Sequence, residues 1–306
     1  MSNKWKLTIT AMFLICITVW LSVFSTSSGN LKVINCNVGQ GDATLIIYRS
    51  FEILIDGGPN NSVLDCLSKY MPFWDRNIEA VVLTHPQSDH YSGLISVIER
   101  YEVKDILANS LDSSSQGYSL LKKLVLDRGI TVVNPTSGMV IGSQMIQLDI
   151  LAPSKEFLTA NYASDSLSAG QSGISSGVLG ASVSILDAND FSVVTLLRYG
   201  SFRFLFTGDI SSELADDLAS SLSEKGEKPI NYIKIPHHGS KSAISEKLYD
   251  LDIGGIAVIS VGKNSYGHPS GEVIDLLKNR TIKVFRTDED GNVVTETDGK
   301  KIWVNN

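Results

Sequence analysis

Short apolar runs broken by glycine-bearing polar turns dominate the chain. Residues 32–36, 43–48 and 51–55 read as strands, and the tight turns between them predict an antiparallel start. Further strands are expected at 80–83, 104–108, 131–133, 145–151, 231–235, 256–261, 283–286 and 301–304, with a hairpin of 192–199 and 201–206 around Gly200. Helical spacing of apolar residues falls at 62–70, 93–101, 119–127, 211–222 and 271–278. Residues 154–184 are rich in Ser, Ala and Gly and predict a long surface loop. Strands and helices interleave, with hairpins among the strands, so the fold class is layered α/β with mixed sheets.

Polar clusters stand where the strands stop. Asp56 precedes Gly57-Gly58, His85 to His90 follows 80–83, Asp209 closes Phe206-Thr207-Gly208-Asp209, and His237-His238 follows 231–235. Only five histidines exist; four lie in these motifs, and the fifth, His268, sits in Tyr266-Gly267-His268-Pro269-Ser270. Strand ends share one rim of a sheet, so loops from distant parts of the chain converge there. Imidazole with carboxylate is the donor mix for a divalent ion such as zinc.

A chain of 306 residues can bury a large core, and hydrophobic residues at 43% with charged residues at 19% describe a globular protein. The net charge of −7 excludes a broadly basic nucleic-acid-gripping face but leaves room for a local one. Three cysteines cannot all pair; a Cys36–Cys66 disulfide is open outside the cell, and free buried thiols are the more ordinary outcome. At the N-terminus, Lys4 and Lys6 precede a charge-free run at 7–24, which reads as a signal peptide or anchor. The small residues at 25–29 lack a clear A-x-A pattern. The expectation is therefore a segment at 1–30 that anchors a domain of 31–306 to the membrane as a single-pass protein, facing out of the cytoplasm.

The motifs in order are Asn37-Val38-Gly39-Gln40-Gly41-Asp42, Leu54-Ile55-Asp56-Gly57-Gly58, Thr84-His85-Pro86-Gln87-Ser88-Asp89-His90, Thr207-Gly208-Asp209, Ile235-Pro236-His237-His238-Gly239-Ser240 and Phe285-Arg286-Thr287-Asp288. Together they resemble the metallo-β-lactamase fold superfamily, and most nearly the β-lactamase-like domain of the ComEC competence (DNA-uptake) proteins. The resemblance implies a four-layer αββα sandwich of two mixed sheets over 31–306. It implies that Asp56 organises the metal loop and that His85, with Gln87 in place of a histidine, lies at a first site. Asp89, His90 and His238 (or else His237) would form a second, and Asp209 would bridge the two. It further implies catalytic work by Asp89, Asp209 and His268, and anion binding by Ser240, Lys263 and Asn264.

Gln87, Asn37 and Asn189 depart from the family pattern, and amide oxygens are weaker zinc donors than imidazoles. One well-held ion or two unequal ones, zinc or manganese, is the resulting expectation. Plainer readings stand beside these. Asp42 and Asp56 can serve as turn residues, and Ser240 can cap the next helix. Lys234, Lys241 and Lys263 can be solvated charges, Tyr91 and Tyr266 can pack loops rather than stack on a base, and Asp288 to Gly291 reads as an acidic hairpin turn. The function implied is an extracytoplasmic metal-dependent phosphoester hydrolase acting on single-stranded DNA or another phosphodiester such as a phosphorylcholine group, with a separate channel protein as partner for DNA uptake. The rival is a non-catalytic accessory module with a degenerate metal site. A true β-lactamase fits the Pro-His-His-Gly-Ser and Gly-His-Pro-Ser loops less well.

Overall fold

The structure is a computed structural model that describes residues 3–25, 29–142, 145–162, 177–251 and 253–305. The first sheet is built from β1 (Leu31–Asn35), β2 (Thr44–Tyr48), β3 (Phe51–Ile55), β4 (Asn77–Leu83), β5 (Glu102–Ala108) and β6 (Thr131–Val133). The second is built from β7 (Val140–Gly142), β8 (Gln147–Ala152), β9 (Val194–Tyr199), β10 (Phe202–Phe206), β11 (Ile230–Lys234), β12 (Ile253–Ile259) and β13 (Lys283–Arg286). The chain then returns to the first sheet through β14 (Val293–Thr297) and β15 (Ile302–Asn305), giving the orders β15-β14-β1-β2-β3-β4-β5-β6 and β13-β12-β11-β10-β9-β8-β7. β1, β2 and β3 pair antiparallel as the tight turns required, whereas β3–β4–β5–β6 are parallel and joined by helices.

The helices are α1 (Asn3–Ser25), α2 (Ser62–Tyr70), α3 (Ser88–Arg100), α4 (Gln116–Asp127), α5 (Lys155–Asn161), α6 (Ser212–Glu224), α7 (Glu246–Tyr249), α8 (Gly271–Asn279) and α9 (Thr287–Asp290). Alternation along each strand divides the apolar residues among three cores. Leu54 and Val81 face α2, α3 and α4 through Leu67, Leu94 and Leu121. Ile53, Val82, Phe204 and Tyr232 fill the space between the sheets. Leu205, Ile233 and Ala257 meet α6, α7 and α8 through Leu218, Leu248 and Leu277. This is the four-layer αββα arrangement. The two sheets are also pinned together by polar contacts, since Tyr232 Oη donates to Asn35 Oδ1 at 2.6 Å across the buried interface.

Four expectations are corrected. Among the described residues no helix is long and apolar enough to cross a membrane, so the single-pass membrane expectation is not supported. The proposed cleavage stretch at 25–29 lies largely outside the described residues, as do residues 163–176 of the Ser-rich loop; the start of that loop forms α5. Cys36 and Cys66 form a disulfide that ties the end of β1 to α2, closing a loop of 30 residues worth about 3–4 kcal/mol of stability. Residues 287–290 form a single helical turn rather than a hairpin turn, held by Arg286 N donating to Asp290 Oδ2 at 2.8 Å.

One close approach places the site. Gly93 in α3 lies against the turn after β3, and its N–H donates to Gly58 O at 2.9 Å. A Cβ at Gly93 would stand 2.0 Å from Gly57 O. Substituting Gly93→Ala is therefore expected to destabilise the protein by about 1–3 kcal/mol through overpacking. Because α3 would be lifted from the Asp56 turn, divalent-ion affinity should fall with it. Urea unfolding read beside metal titration checks this; unchanged values in both would show that α3 does not depend on the contact.

Candidate metal centre

Three histidines reach the centre, His85 and His90 after β4 and His238 after β11, and each is oriented through its Nδ1. Asp56 ends β3 in the left-handed region at φ 59°, and its N–H donates to Val82 O at 2.8 Å. Its Oδ1 accepts from Thr84 N at 2.8 Å, and its Oδ2 accepts from Thr84 Oγ1 at 2.8 Å and from His90 Nδ1 at 2.9 Å. Thr84 Oγ1, having donated to Asp56, lies 3.0 Å from His85 Nδ1 and accepts its proton. His238 Nδ1 donates to Ser260 O at 2.8 Å. All three rings therefore carry the Nδ1 proton and turn Nε2 inward, the arrangement by which outer partners prepare imidazoles for a metal.

The inward atoms converge on one carboxylate. His90 Nε2 and His238 Nε2 each lie 3.3 Å from Asp209 Oδ2, and Asp89 Oδ2 lies 3.4 Å from His238 Nε2. His85, His90 and Asp209 form one group whose donor atoms lie within 4.8 Å of one another, and Asp89, His90 and His238 form another. Nε2 of His85, His90 and His238 is buried without a hydrogen-bond partner. Three imidazole nitrogens without a hydrogen bond, two of them facing carboxylate oxygens, form a donor set that suits a divalent ion of the zinc or manganese kind. Asp209 is held from behind, its N–H donating to Ser192 Oγ at 3.1 Å and its Oδ1 accepting from Lys234 Nζ at 3.2 Å.

Lys234 and Asp42 are the residues the sequence reading placed wrongly. Lys234 is no rim lysine: it is 3% exposed, bonded to Gly208 O at 3.0 Å and paired with both Asp42 and Asp209. Asp42 is not only a turn residue: it is buried, with Oδ1 3.4 Å from His238 Nδ1. The signal for Lys234 was a charged residue at an alternating position inside the apolar run Tyr232-Ile233-Lys234-Ile235; the signal for Asp42 was its place after Gly39-Gln40-Gly41. Gly41, at φ 150°, leaves no room for a Cβ against Asp89 O, which binds this loop to the start of α3.

The paired charges set the protonation states. Burial works against the charged form of His238, but the Asp209 and Asp42 carboxylates outweigh it and push the ring up to about 10. His90 likewise rises well above the ordinary range, burial being overcome by Asp209 and Asp56. His85 is pushed down to about 3 by burial and by the neighbouring His90, so it stays neutral. Burial tends to raise Asp209, yet His238, His90 and Lys234 hold it well below the carboxylate range.

Outside the cluster lies an open cavity of about 1050 Å³ whose lining includes Gln87, Asp89, His237, Lys263, Asn264 and His268. His238, and not His237, joins the donor groups; the His237 ring packs 5.6 Å from that of His268. His268 Nδ1 is buried without a partner, and burial together with His237 lowers its pKa, so it stands as a neutral imidazole. Gln87 precedes α3, where its backbone oxygen accepts from His90 N and Tyr91 N at 3.0 Å each. Asn189 is buried on a 3-10 turn with Oδ1 unpartnered. Ser240 Oγ accepts from Ser242 N at 3.2 Å and acts as a cap. The Asn264 amide is consumed by its own loop, accepting from Tyr266 N, Gly267 N and His268 N and donating to Gly262 O and His268 O. Lys263 lines the cavity without an acidic partner among the described residues, whereas Lys241 is exposed and pairs with Glu272. Tyr91 donates or accepts at Ser115 Oγ over 2.6 Å and is buried; Tyr266 is exposed at the cavity mouth.

Residues 36–141 match the family model of the Metallo-beta-lactamase superfamily. ComE operon protein 3 of Bacillus subtilis is 24% identical over 303 residues, covering 93% of this chain and 34% of that protein. Recombination protein 2 of Haemophilus influenzae is 24% identical over 289 residues, covering 92% of this chain and 31% of that protein. The chain thus spans about a third of the length of these curated relatives. The metallo-beta-lactamase fold protein YhfI from Bacillus subtilis superposes with a TM-score of 0.51 at 11% identity over 91% of this chain and all of that one, which shows the shared fold.

Protons and a cation compete for the same nitrogens. In the metal-free protein the charged forms of His90 and His238 contribute stability that is complete below the unfolded value near 6.5 and is lost as pH rises through the raised values, about 10 for His238. An ion must displace those protons, so its affinity should climb from pH 6.5 to 8.5 by about tenfold per unit for each proton displaced. Calorimetric titration of chelator-treated protein with zinc or manganese checks this. An affinity independent of pH over that window would mean the two rings are not the ion's ligands.

Proposed function

We propose that this chain, whose residues 36–141 match the family model of the Metallo-beta-lactamase superfamily, is a metal-dependent hydrolase of phosphoesters, with the phosphodiester of a single DNA strand as its substrate class. The observation that carries the reading is that His90 and His238 each bring Nε2 to 3.3 Å from Asp209 Oδ2, with His85 in the same donor group, beside an open cavity. Asp89, Asp209, His85, His90 and His238 would hold the ion. A divalent ion there supplies Lewis-acid polarisation of a phosphoryl oxygen and a nucleophile at neutral pH.

The chain's own residues do the rest. Lys234 and Ser192 fix Asp209 so that its Oδ2 faces Nε2 of His90 and of His238. Lys263, unpaired at the cavity wall, balances phosphoryl charge. His268, a neutral imidazole on the cavity lining, is placed to hydrogen-bond the leaving oxygen of the substrate. The similarity to ComE operon protein 3 and Recombination protein 2 over more than nine-tenths of this chain favours DNA over smaller phosphodiesters such as phosphorylcholine. The Cys36–Cys66 disulfide favours an oxidising, extracytoplasmic setting.

Gln87 favours a second reading, a binding module whose metal site has decayed. Metal content separates the two: the hydrolase retains a stoichiometric ion through gel filtration, whereas the module does not. With zinc or manganese the protein should hydrolyse bis-p-nitrophenyl phosphate and single-stranded DNA. His90→Ala or Asp209→Asn should lower the rate at least about a hundredfold. Full activity in both variants would reject the mechanism.

A further inference from the structure

Two arginines stand together at the far end of the first sheet. The connection from α2 to β4 brings Arg76 beside the last residue of α3, Arg100, and the two line a pocket of about 510 Å³ with Leu64, Ser68 and Tyr101. Arg76 lies over the Tyr101 ring at 5.3 Å. Among the described residues neither guanidinium has a carboxylate partner, although Glu99 and Glu102 flank Arg100 in sequence and Asp75 precedes Arg76. The Asp75 carboxylate is engaged with Asn77 instead, accepting from its N and Nδ2 at 3.1 and 3.2 Å. Two residues before Arg76 the chain displays Trp74 (49% exposed) next to Phe73 (82% exposed), rings edge-to-face at 4.8 Å. Exposed aromatic side chains two and three residues before Arg76, on a chain segment that also supplies one of two guanidiniums lacking a carboxylate partner among the described residues, suit a ligand carrying both phosphate and a flat ring.

The distance to the metal centre is set by the elements that join them. β4 runs from the residue after Arg76 to the residue before Thr84, and α3 runs from Asp89 and His90 to Arg100. At the rises of a strand and a helix both paths give roughly 20 Å. A single lipid headgroup or free phosphate cannot occupy both ends, whereas a polymer of phosphodiesters can. We propose that Arg76, Arg100, Trp74 and Phe73 form an exosite for single-stranded nucleic acid, with the guanidiniums on backbone phosphate and the rings stacking on bases. The choice of polymer rests on the phosphodiesterase reading above; the unpaired charge and exposed rings do not.

The test is fluorescence anisotropy of labelled dT20 binding to the full chain in chelator, where no cleavage intervenes, across a salt series. Arg76→Ala with Arg100→Ala should weaken binding about tenfold at low salt and lower the slope of log affinity against log salt by about 1.4, two phosphates at 0.7 each. Trp74→Ala should weaken it about fivefold or more. Unfolding midpoints should match the parent, and hydrolysis of bis-p-nitrophenyl phosphate should be unchanged. Parent-like dT20 affinity in both variants, or no dT20 binding by the parent, overturns the proposal. Loss of binding to phosphatidylglycerol vesicles with dT20 binding intact also overturns it, in favour of a lipid surface. A parent that binds dT20 through these residues yet hydrolyses no diester would sink the catalytic reading and leave the exosite standing.

Discussion

Excess buried negative charge governs this molecule. Asp42, Asp56, Asp89 and Asp209 gather around three imidazoles, and among the described residues the single fixed cation paired with them is Lys234. Carboxylates out of water are costly unless they are paired. The cluster therefore demands positive charge, which in the metal-free protein comes as protons on His90 and His238. A divalent ion answers the same demand with less crowding. The surrounding architecture exists to hold that imbalance in place: the Asp56 turn is clamped by Gly93, Asp209 by Ser192, and the loop of Asp42 by the start of α3.

The backbone carries part of the strain. His237 and His238 sit consecutively in the left-handed region at φ 50° and 53°, as does Asp56 at 59°. Non-glycine residues there cost roughly 1–2 kcal/mol each. His237 N–H bonding to Gly208 O, Ser240 N–H to His237 O and His238 to Ser260 O fix the turn against that cost. The turn thereby separates two neighbouring histidines, sending one into the donor cluster and leaving the other on the cavity wall.

Much of this was legible beforehand because periodicity and turn chemistry are local. The antiparallel β1–β2–β3, the helix at 62–70 and the strand-end motifs around His85, Asp209 and His238 followed from short windows of sequence. What escaped depended on tertiary pairing. β14 reads Val-Val-Thr-Glu-Thr, half polar, and becomes a strand because β1 lies beside it. Lys234 looked like surface charge until Asp42 arrived from nearly two hundred residues away. Asn264 looked available for a substrate, yet its amide closes its own loop. The Cys36–Cys66 bridge could not be decided from spacing, since it requires the end of β1 and α2 to meet in space.

The seam between β1 and β14 joins Leu31 to Thr297 and Asn35 to Val293. A ribosome delivering this chain in order exposes β1 long before its neighbour is made. Throughout that interval a buried strand waits with an open hydrogen-bonding edge, the kind of template that invites mispairing with other chains. Nascent molecules therefore need shelter until the last strands emerge, and a truncation removing only β14 and β15 would leave every metal donor present on a protein prone to aggregate.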